Sequence, residues 1–231
     1  RTIDLRNNQL MEATIEPATD EEIQNTIKVM GGEDWILWIK ALKEAGVLAD
    51  GAKTVAYSYI GPELTYPIYK EGSIGQAKKD LYASADKIQA EIDGVEAYVS
   101  VNKAVVTQSS AAIPIVPLYL AILFKVMKEQ KVQEGCIEQI YRMIHDRLCN
   151  GGAVVTDENR LIRMDDWEME PKVQEAVAEI WQKIDQDNLE EVTDLEGYWQ
   201  EFYEIFGFRI DGVDYGADVD ADVQIPSIAA E

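Results

Sequence analysis

The sequence predicts an α/β fold in which helices flank a parallel β-sheet. A strand is expected over 53–60, because β-branched and aromatic residues alternate there with smaller ones. Apolar residues then recur at steps of three and four over 73–92, which is one face of an amphipathic helix. A second strand over 95–101 completes a β-α-β unit, and such a unit joins parallel strands through a right-handed crossover.

The N-terminal part predicts a short strand followed by two helices. The strand is expected over 10–15, and Thr19 begins a capping box that opens a helix ending at Met30. After two glycines, Trp35 and Trp38 lie at helical spacing on the next helix. These tryptophans either wall an acyl pocket or belong to the core.

Beyond the second strand the pattern is mainly helical. Four helices are indicated by apolar residues at helical spacing, over 117–129, 137–148, 173–184 and 195–206. A small β-hairpin is predicted over 153–164, turning at Asp157-Glu158-Asn159. The aspartates over 211–222 predict a solvated acidic tail, because the spacing lacks the glycine and closing glutamate of a calcium loop.

One lysine of the central helix is placed differently from its neighbours. At about 100° per residue, Lys79 and Lys87 point away from the apolar stripe, whereas the stem of Lys78 starts near it. An ammonium directed inward needs a partner, and Tyr69 lies just before this helix. A tyrosine beside a partly desolvated lysine can be a proton donor with a lowered pKa. The alternative is a loop tyrosine with a satisfied hydroxyl and a lysine that snorkels to solvent.

Composition excludes several classes of partner. The 231 residues are 47% hydrophobic, which suffices for a sizeable core, and the formal net charge is −22. Such a charge repels nucleic acid and anionic membrane surfaces. The most apolar run, 111–127, is short for a bilayer span and contains two prolines and a lysine, so we expect a buried helix.

The cysteines and the histidine do not indicate a disulfide or a metal site. Cys136 and Cys149 are expected on one helix roughly 20 Å apart, which is too far for a disulfide, and free thiols fit a reducing compartment. His145 is the single histidine, so we expect no metal centre. The opening residues do not resemble a secretory leader, and a cytoplasmic location is the default expectation, with an organelle left open.

The spacing Tyr69-x8-Lys78 occurs in a wider set of matching segments. These segments are AYSYIGPE, GSIGQAKKDL, KVMGGEDW, the long run from Val99 to Glu129, EGCIEQI, MDDWE and FGFRIDGVDY. Together they resemble the NADH-dependent trans-2-enoyl-CoA and enoyl-acyl-carrier-protein reductases of the Tyr-x8-Lys type, which are relatives of the short-chain dehydrogenases. The resemblance implies a Rossmann-like parallel sheet and reduction of the 2,3 double bond of an enoyl thioester by NADH in fatty-acid synthesis.

The resemblance also implies roles for individual residues. Tyr69 and Lys78 would be catalytic, and Lys78 would in addition hold the ribose of the cofactor. Tyr59 would bind substrate, and the loop residues Thr107, Gln108 and Ser109 would contact the nicotinamide end of NADH. From the residues alone, the hydroxyls of Thr107 and Ser109 equally fit the cap of the following helix.

The resemblance finally predicts how the chain is organised. Family members hold the dinucleotide on a glycine-rich N-terminal region, and no G-x-G-x-x-G occurs here. We therefore expect 1–231 to be the C-terminal portion of one large reductase domain whose glycine-rich partner region is missing. Within it, 53–110 would carry the catalytic unit and 111–231 the helical substrate-side elements.

Two other functions stay open from the sequence. The chain could be a non-catalytic fragment or partner of such an enzyme, or it could reduce carbonyls as many short-chain dehydrogenases do. Neither the carrier, CoA or acyl carrier protein, nor the acyl length or the oligomeric state can be read from these residues.

Overall fold

A three-stranded parallel sheet and a separate two-stranded hairpin make up the β structure of the residues that the structure describes. The computed structural model describes residues 1–220, 222 and 223. The strands are β1 (Thr2–Asp4), β2 (Gln9–Met11), β3 (Ala52–Ser58), β4 (Val95–Val101) and β5 (Leu161–Arg163). The sheet has the order β3-β4-β5 with both pairs parallel, and β1 pairs with β2 in antiparallel fashion. This confirms the α/β class with a parallel sheet.

Helices supply most of the remaining regular structure. They are α1 (Asp20–Met30), α2 (Glu33–Glu44), α3 (Ser73–Glu91), α4 (Val116–Glu129), α5 (Cys136–Arg142), α6 (Pro171–Lys183), α7 (Leu189–Val192) and α8 (Leu195–Glu204). A π-helical segment over Met143–Leu148 extends α5. The predicted capping box at Thr19 is present, with Thr19 and Glu22 bonded to each other's backbone N–H groups.

Helix α3 is the crossover between β3 and β4. Its apolar stripe, which includes the buried Ala85 and Ile88, packs on one face of the sheet against Val99 and Val101. The other face carries Val55 and Tyr98 and is covered by the segment around Met143. The sheet is therefore packed on both faces, as parallel sheets usually are, although Lys53 and Tyr57 of the edge strand β3 stay exposed on the second face.

Helix α4 is the centre of the larger hydrophobic core. Leu118, Leu120, Ile122, Leu123 and Phe124 have no exposed surface, and the helix packs against α6 and α8. Each such side chain contributes roughly 1.5–3 kcal/mol when it leaves water. Within the part of the chain that the structure describes, no helix is both long and apolar enough to cross a bilayer.

Two predicted strand segments differ in the structure. The expected small hairpin exists, but it lies at residues 2–11, whereas 153–164 contributes only β5, which pairs with β4. The prediction of a hairpin at 153–164 was wrong because alternation indicates a strand without indicating its partner. The strand expected over 10–15 ends at Met11. The aspartates of the predicted tail are exposed, and residues 221 and 224–231 lie outside the described residues.

Candidate active site

The site begins where β3 ends. Ser58 is the last strand residue, and Tyr59 follows it toward the carboxyl edge of the sheet. Gly61 then takes φ +76°, and a Cβ there would lie 2.8 Å from the Tyr59 hydroxyl. The lack of a Cβ at Gly61 therefore permits both the left-handed backbone conformation and the close approach of the Tyr59 side chain.

A short turn carries Tyr69 to the start of α3. The buried Thr65 donates its hydroxyl to the Pro62 carbonyl at 3.0 Å, and its own carbonyl accepts the Tyr69 N–H at 2.9 Å. Gly75, in the first turn of α3, packs so closely on the Lys70 backbone that a Cβ would overlap the Lys70 carbonyl. The turn is thus pressed against the helix that bears Lys78.

Tyr69 and Lys78 line one cavity of about 250 Å³ at the carboxyl end of β3 and β4. Tyr59, Thr107 and Ser109 line the same cavity. The rings of Tyr59 and Tyr69 meet edge to face with centroids 5.0 Å apart. In open α/β sheets this edge is where ligands bind.

The loop after β4 lies at this cavity, but one of the three loop residues predicted to contact the cofactor does not line it. The Thr107 N–H donates to the Ser110 hydroxyl at 2.9 Å, and the Thr107 hydroxyl accepts the Ser110 N–H at 3.0 Å. These bonds fix Thr107 against the first residue of the short 3-10 turn over Ser110–Ala112, and Thr107 also lines the cavity. Gln108 is exposed and is not among the lining residues.

The protonation of the two central residues follows from burial. Burial raises the pKa of Tyr69 and lowers the pKa of Lys78. Neither side chain makes a side-chain hydrogen bond to another described residue. The expected lowering of the Tyr69 pKa by Lys78 is therefore absent in this state. At neutral pH the phenol keeps its proton, and the amine is free to bind a ligand.

A buried polar cluster behind Tyr59 was not found by sequence reasoning. Glu168 is fully buried, and its Oε1 accepts the hydroxyls of Tyr59 at 2.9 Å and Tyr119 at 2.7 Å. Its Oε2 accepts the Ala104 N–H at 2.7 Å. The signal available in the sequence was a glutamate in the MDDWE segment, but its partners are too distant along the chain to be read from spacing.

The remaining candidate residues lie elsewhere. Trp35 donates its indole N–H to Thr54 at 2.9 Å, whereas Trp38 is 67% exposed and belongs neither to the core nor to the cavity. His145 is exposed and stacks on Tyr141. Cys136 and Cys149 are exposed free thiols.

The fold and the site together define the class of protein. A tyrosine and a lysine at the carboxyl edge of a parallel sheet, joined through one β-α-β unit, are typical of Rossmann-like proteins of the short-chain dehydrogenase type. The family model described as "Trans-2-enoyl-CoA reductase catalytic region" matches residues 1–149, and the chain belongs to that family.

Similar proteins are known in sequence and in structure. The trans-2-enoyl-CoA reductase [NADH] of Ruminiclostridium cellulolyticum is 53% identical over 99% of this chain and 58% of its own length. The enoyl-[acyl-carrier-protein] reductase [NADH] of Psychromonas ingrahamii is 54% identical over 98% of this chain and 58% of its own length. The crystal structure of Treponema denticola trans-2-enoyl-CoA reductase in complex with NAD superimposes with a TM-score of 0.90 at 50% identity, over 94% of this chain and 55% of that one. The chain thus spans a little over half the length of these relatives.

A second family model, described as "Enoyl reductase FAD binding domain", matches residues 156–219. The described residues of this segment do not fit a flavin. Its buried carboxylates are already bonded, Asp165 to Arg163 and Glu168 to the two tyrosines, and the fully buried ring of Tyr198 packs edge to face on Trp199. None of its residues lines the cavity of Tyr69 and Lys78.

Proposed function

We propose that the protein carrying this chain reduces the 2,3 double bond of trans-2-enoyl thioesters with NADH, giving saturated acyl thioesters for fatty-acid synthesis. One observation carries the proposal: Tyr69 and Lys78 line one cavity at the carboxyl edge of the sheet, with their polar groups unpaired within the described residues. Relatives named for CoA and for acyl carrier protein are about equally similar to it, so we propose the enoyl thioester itself as the substrate class.

Tyr69 is the proposed acid. When NADH is bound it supplies a hydride to the β-carbon, and negative charge then collects on the thioester oxygen. A phenol that is still protonated at neutral pH can donate to that oxygen, and stabilising the developing oxyanion lowers the barrier. The enolate then takes a proton from solvent at its α-carbon, which gives the saturated acyl thioester. Burial of Tyr69 strengthens this interaction because the surroundings screen it less than water does.

Lys78 and the loop after β4 are the proposed cofactor contacts. The Lys78 amine has no side-chain partner in the described residues and is available to the ribose hydroxyls. Thr107 and Ser109 face the same cavity and would meet the nicotinamide end, and Gln108 is proposed with them from the family resemblance alone. Contacts that fix the cofactor against the substrate use binding energy to orient the hydride donor toward the β-carbon.

Tyr59 is the proposed substrate contact. It forms the wall of the cavity beside Tyr69, where the acyl thioester would lie. We further propose that 53–110 forms the catalytic unit and that the helices after residue 111 form the substrate side. The two exposed free thiols favour a reducing compartment, and we propose the cytoplasm.

The test uses the protein at the length that its gene encodes. Its intact mass is measured first, and the oxidation of NADH with crotonyl-CoA is then assayed on the same sample. We expect Tyr69→Phe to lower turnover by about 10²- to 10⁴-fold with little change in NADH affinity, since only the proton donor is lost. Tyr141→Phe, at an exposed and remote tyrosine, is the matched control.

The assay also separates the rival functions. Acetoacetyl-CoA replaces crotonyl-CoA to test for carbonyl reduction. A Tyr69→Phe variant with the wild-type rate, or a wild-type protein that oxidises NADH only with acetoacetyl-CoA, would refute the assignment. If the wild-type protein oxidises NADH with neither substrate, the result favours the non-catalytic alternative.

A further inference from the structure

The buried carboxylate of Glu168 has no part in the reaction proposed above, yet it is bonded to a residue of the cavity. Three groups donate to it: the Tyr59 hydroxyl, the Tyr119 hydroxyl and the Ala104 N–H. Among the described residues it donates to none. An ionised carboxylate can accept all three of these bonds, and the backbone N–H can only donate, so the arrangement favours the ionised form.

Lys103 supports this ionised state from nearby. Its side chain is 1% exposed, and its amine donates to the carbonyl of Ala104, the residue whose N–H donates to Glu168, at 2.8 Å. Burial raises the pKa of Glu168 and lowers the pKa of Lys103, while the hydrogen bonds to Glu168 and the attraction between the two charges oppose these shifts. A buried carboxylate is stable only when it is compensated in this way.

The hydrogen bond to Glu168 fixes which way the Tyr59 hydroxyl points. A phenol has one proton, and at Tyr59 that proton is directed to Glu168. The Tyr59 oxygen can then only accept a hydrogen bond, through its lone pairs, from a molecule in the cavity. Hydrogen bonding to a carboxylate also makes this oxygen a stronger acceptor, because linked hydrogen bonds polarise one another.

We propose that Glu168 is a positioning residue for the thioester substrate, which acts by holding Tyr59 as a hydrogen-bond acceptor beside Tyr69. The inference rests on the proposed function, because it takes the ligand that Tyr59 binds to be the thioester substrate with its carrier arm. The arm of CoA and of acyl carrier protein carries amide N–H donors that such an acceptor would bind.

Glu168→Gln tests this because it reverses the hydrogen bond. The Ala104 N–H still requires an acceptor, so the glutamine oxygen takes that place and its amide NH₂ faces the tyrosines. Tyr59 then accepts from Gln and turns its proton toward the cavity. We expect kcat/KM for crotonyl-CoA to fall by about 10- to 100-fold, with a matching loss in the affinity for butyryl-CoA measured by calorimetry. The KM for NADH should stay within about twofold.

A double-mutant cycle separates positioning from mere stability. If Glu168 acts through Tyr59, Glu168→Gln in a Tyr59→Phe background costs less than about threefold further. In a Tyr119→Phe background the same change keeps its full effect, although Tyr119 donates to the same carboxylate oxygen. Tyr119→Phe alone should keep the wild-type rate within about threefold.

The outcomes distinguish this inference from the proposed function. Equal losses in the wild-type and Tyr59→Phe backgrounds would overturn the role of Glu168 while leaving the reductase intact. A wild-type protein that does not oxidise NADH with crotonyl-CoA would overturn the proposed function itself, and this inference with it. If Glu168→Gln does not fold, as judged by its melting temperature, Glu168→Asp keeps the charge but withdraws it from Tyr59, and the same cycle applies.

Discussion

Lys78 is half-buried and has no side-chain partner in the described residues, so its charge depends on pH. Burial lowers its pKa from the ordinary value of 10.5. The cationic form binds the ribose in the proposed mechanism, and the amine loses its proton as pH rises through this lowered pKa. We therefore expect turnover to fall as pH rises, with the midpoint of the fall at a pH below 10.5. The pKa of Tyr69 is raised above its ordinary 10.0, so Tyr69 titrates later.

The measurement is the pH dependence of kcat for the wild type and for Lys78→Arg. Arginine stays charged, so the residual activity of the variant should extend to higher pH. Lys79→Arg is the matched control, because Lys79 is exposed on the adjacent position of α3. An alkaline limb at the same pH in wild type and Lys78→Arg would show that another group titrates.

At this scale the sequence predicts some site residues and misses others for a physical reason. The inward stem of Lys78 follows from the helical period, and Tyr69 is close to it along the chain, so local geometry places both. Glu168 is 109 residues from Tyr59, and Tyr119 is 49 residues from Glu168. Contacts at such separations depend on how elements pack, and no spacing rule predicts them.

Helix α3 holds the site through its first turn, and Gly75 is the residue that allows this. An alanine Cβ would overlap the Lys70 backbone carbonyl, so Gly75→Ala must push the turn away from the helix. We expect a loss of about 1–3 kcal/mol in the free energy of unfolding. Because Tyr69 lies in the displaced segment and Lys78 does not, kcat should also fall, by up to about 10²-fold.

The comparison for Gly75→Ala is Gly152→Ala. A Cβ at Gly152 would meet only the Asn150 side chain at 3.7 Å, an ordinary contact. Thermal unfolding and NADH oxidation are measured on both variants. If the two alanines have equally small effects, the tight packing of the turn against α3 is not what places Tyr69.

At the element scale, periodicity predicts helices better than strand pairing. Helix α3 and strand β4 agree with the prediction within a residue at their ends, because each has a clear period and a stop signal. Strand β5 was predicted as part of a hairpin, yet it pairs with β4 at a separation of about 60 residues. Short strands carry too little pattern to specify a distant partner.

At the scale of the whole molecule, Arg142 ties the two regions matched by separate family models. It lies in the first region and bonds Glu134, Asp166 of the second region, and the Met164 carbonyl, with its guanidinium 4.0 Å from the centre of the Trp167 ring. The side chains of Arg142 and Glu134 are 11% and 4% exposed. The two regions are therefore one packed unit.

Arg142→Ala should destabilise this unit by about 3 kcal/mol, because it leaves the Glu134 carboxylate buried without its partner. The exposed pair of Lys183 and Glu179 offers the control, and Lys183→Ala should cost about 0.5 kcal/mol or less. Both are measured by urea unfolding. Similar midpoints for the two variants would contradict the buried network.

The separation of the site's parts along the chain has a consequence for folding. Tyr69 and Lys78 are nine residues apart on one continuous turn and helix, whereas the bond between Tyr59 and Glu168 closes a loop of 109 residues. Loop-closure entropy makes the longer closure more costly by about 2 kcal/mol. We therefore expect the proposed acid and its lysine to be positioned once the turn and α3 form, and the Tyr59 hydroxyl to be directed only when the last third of the chain has docked.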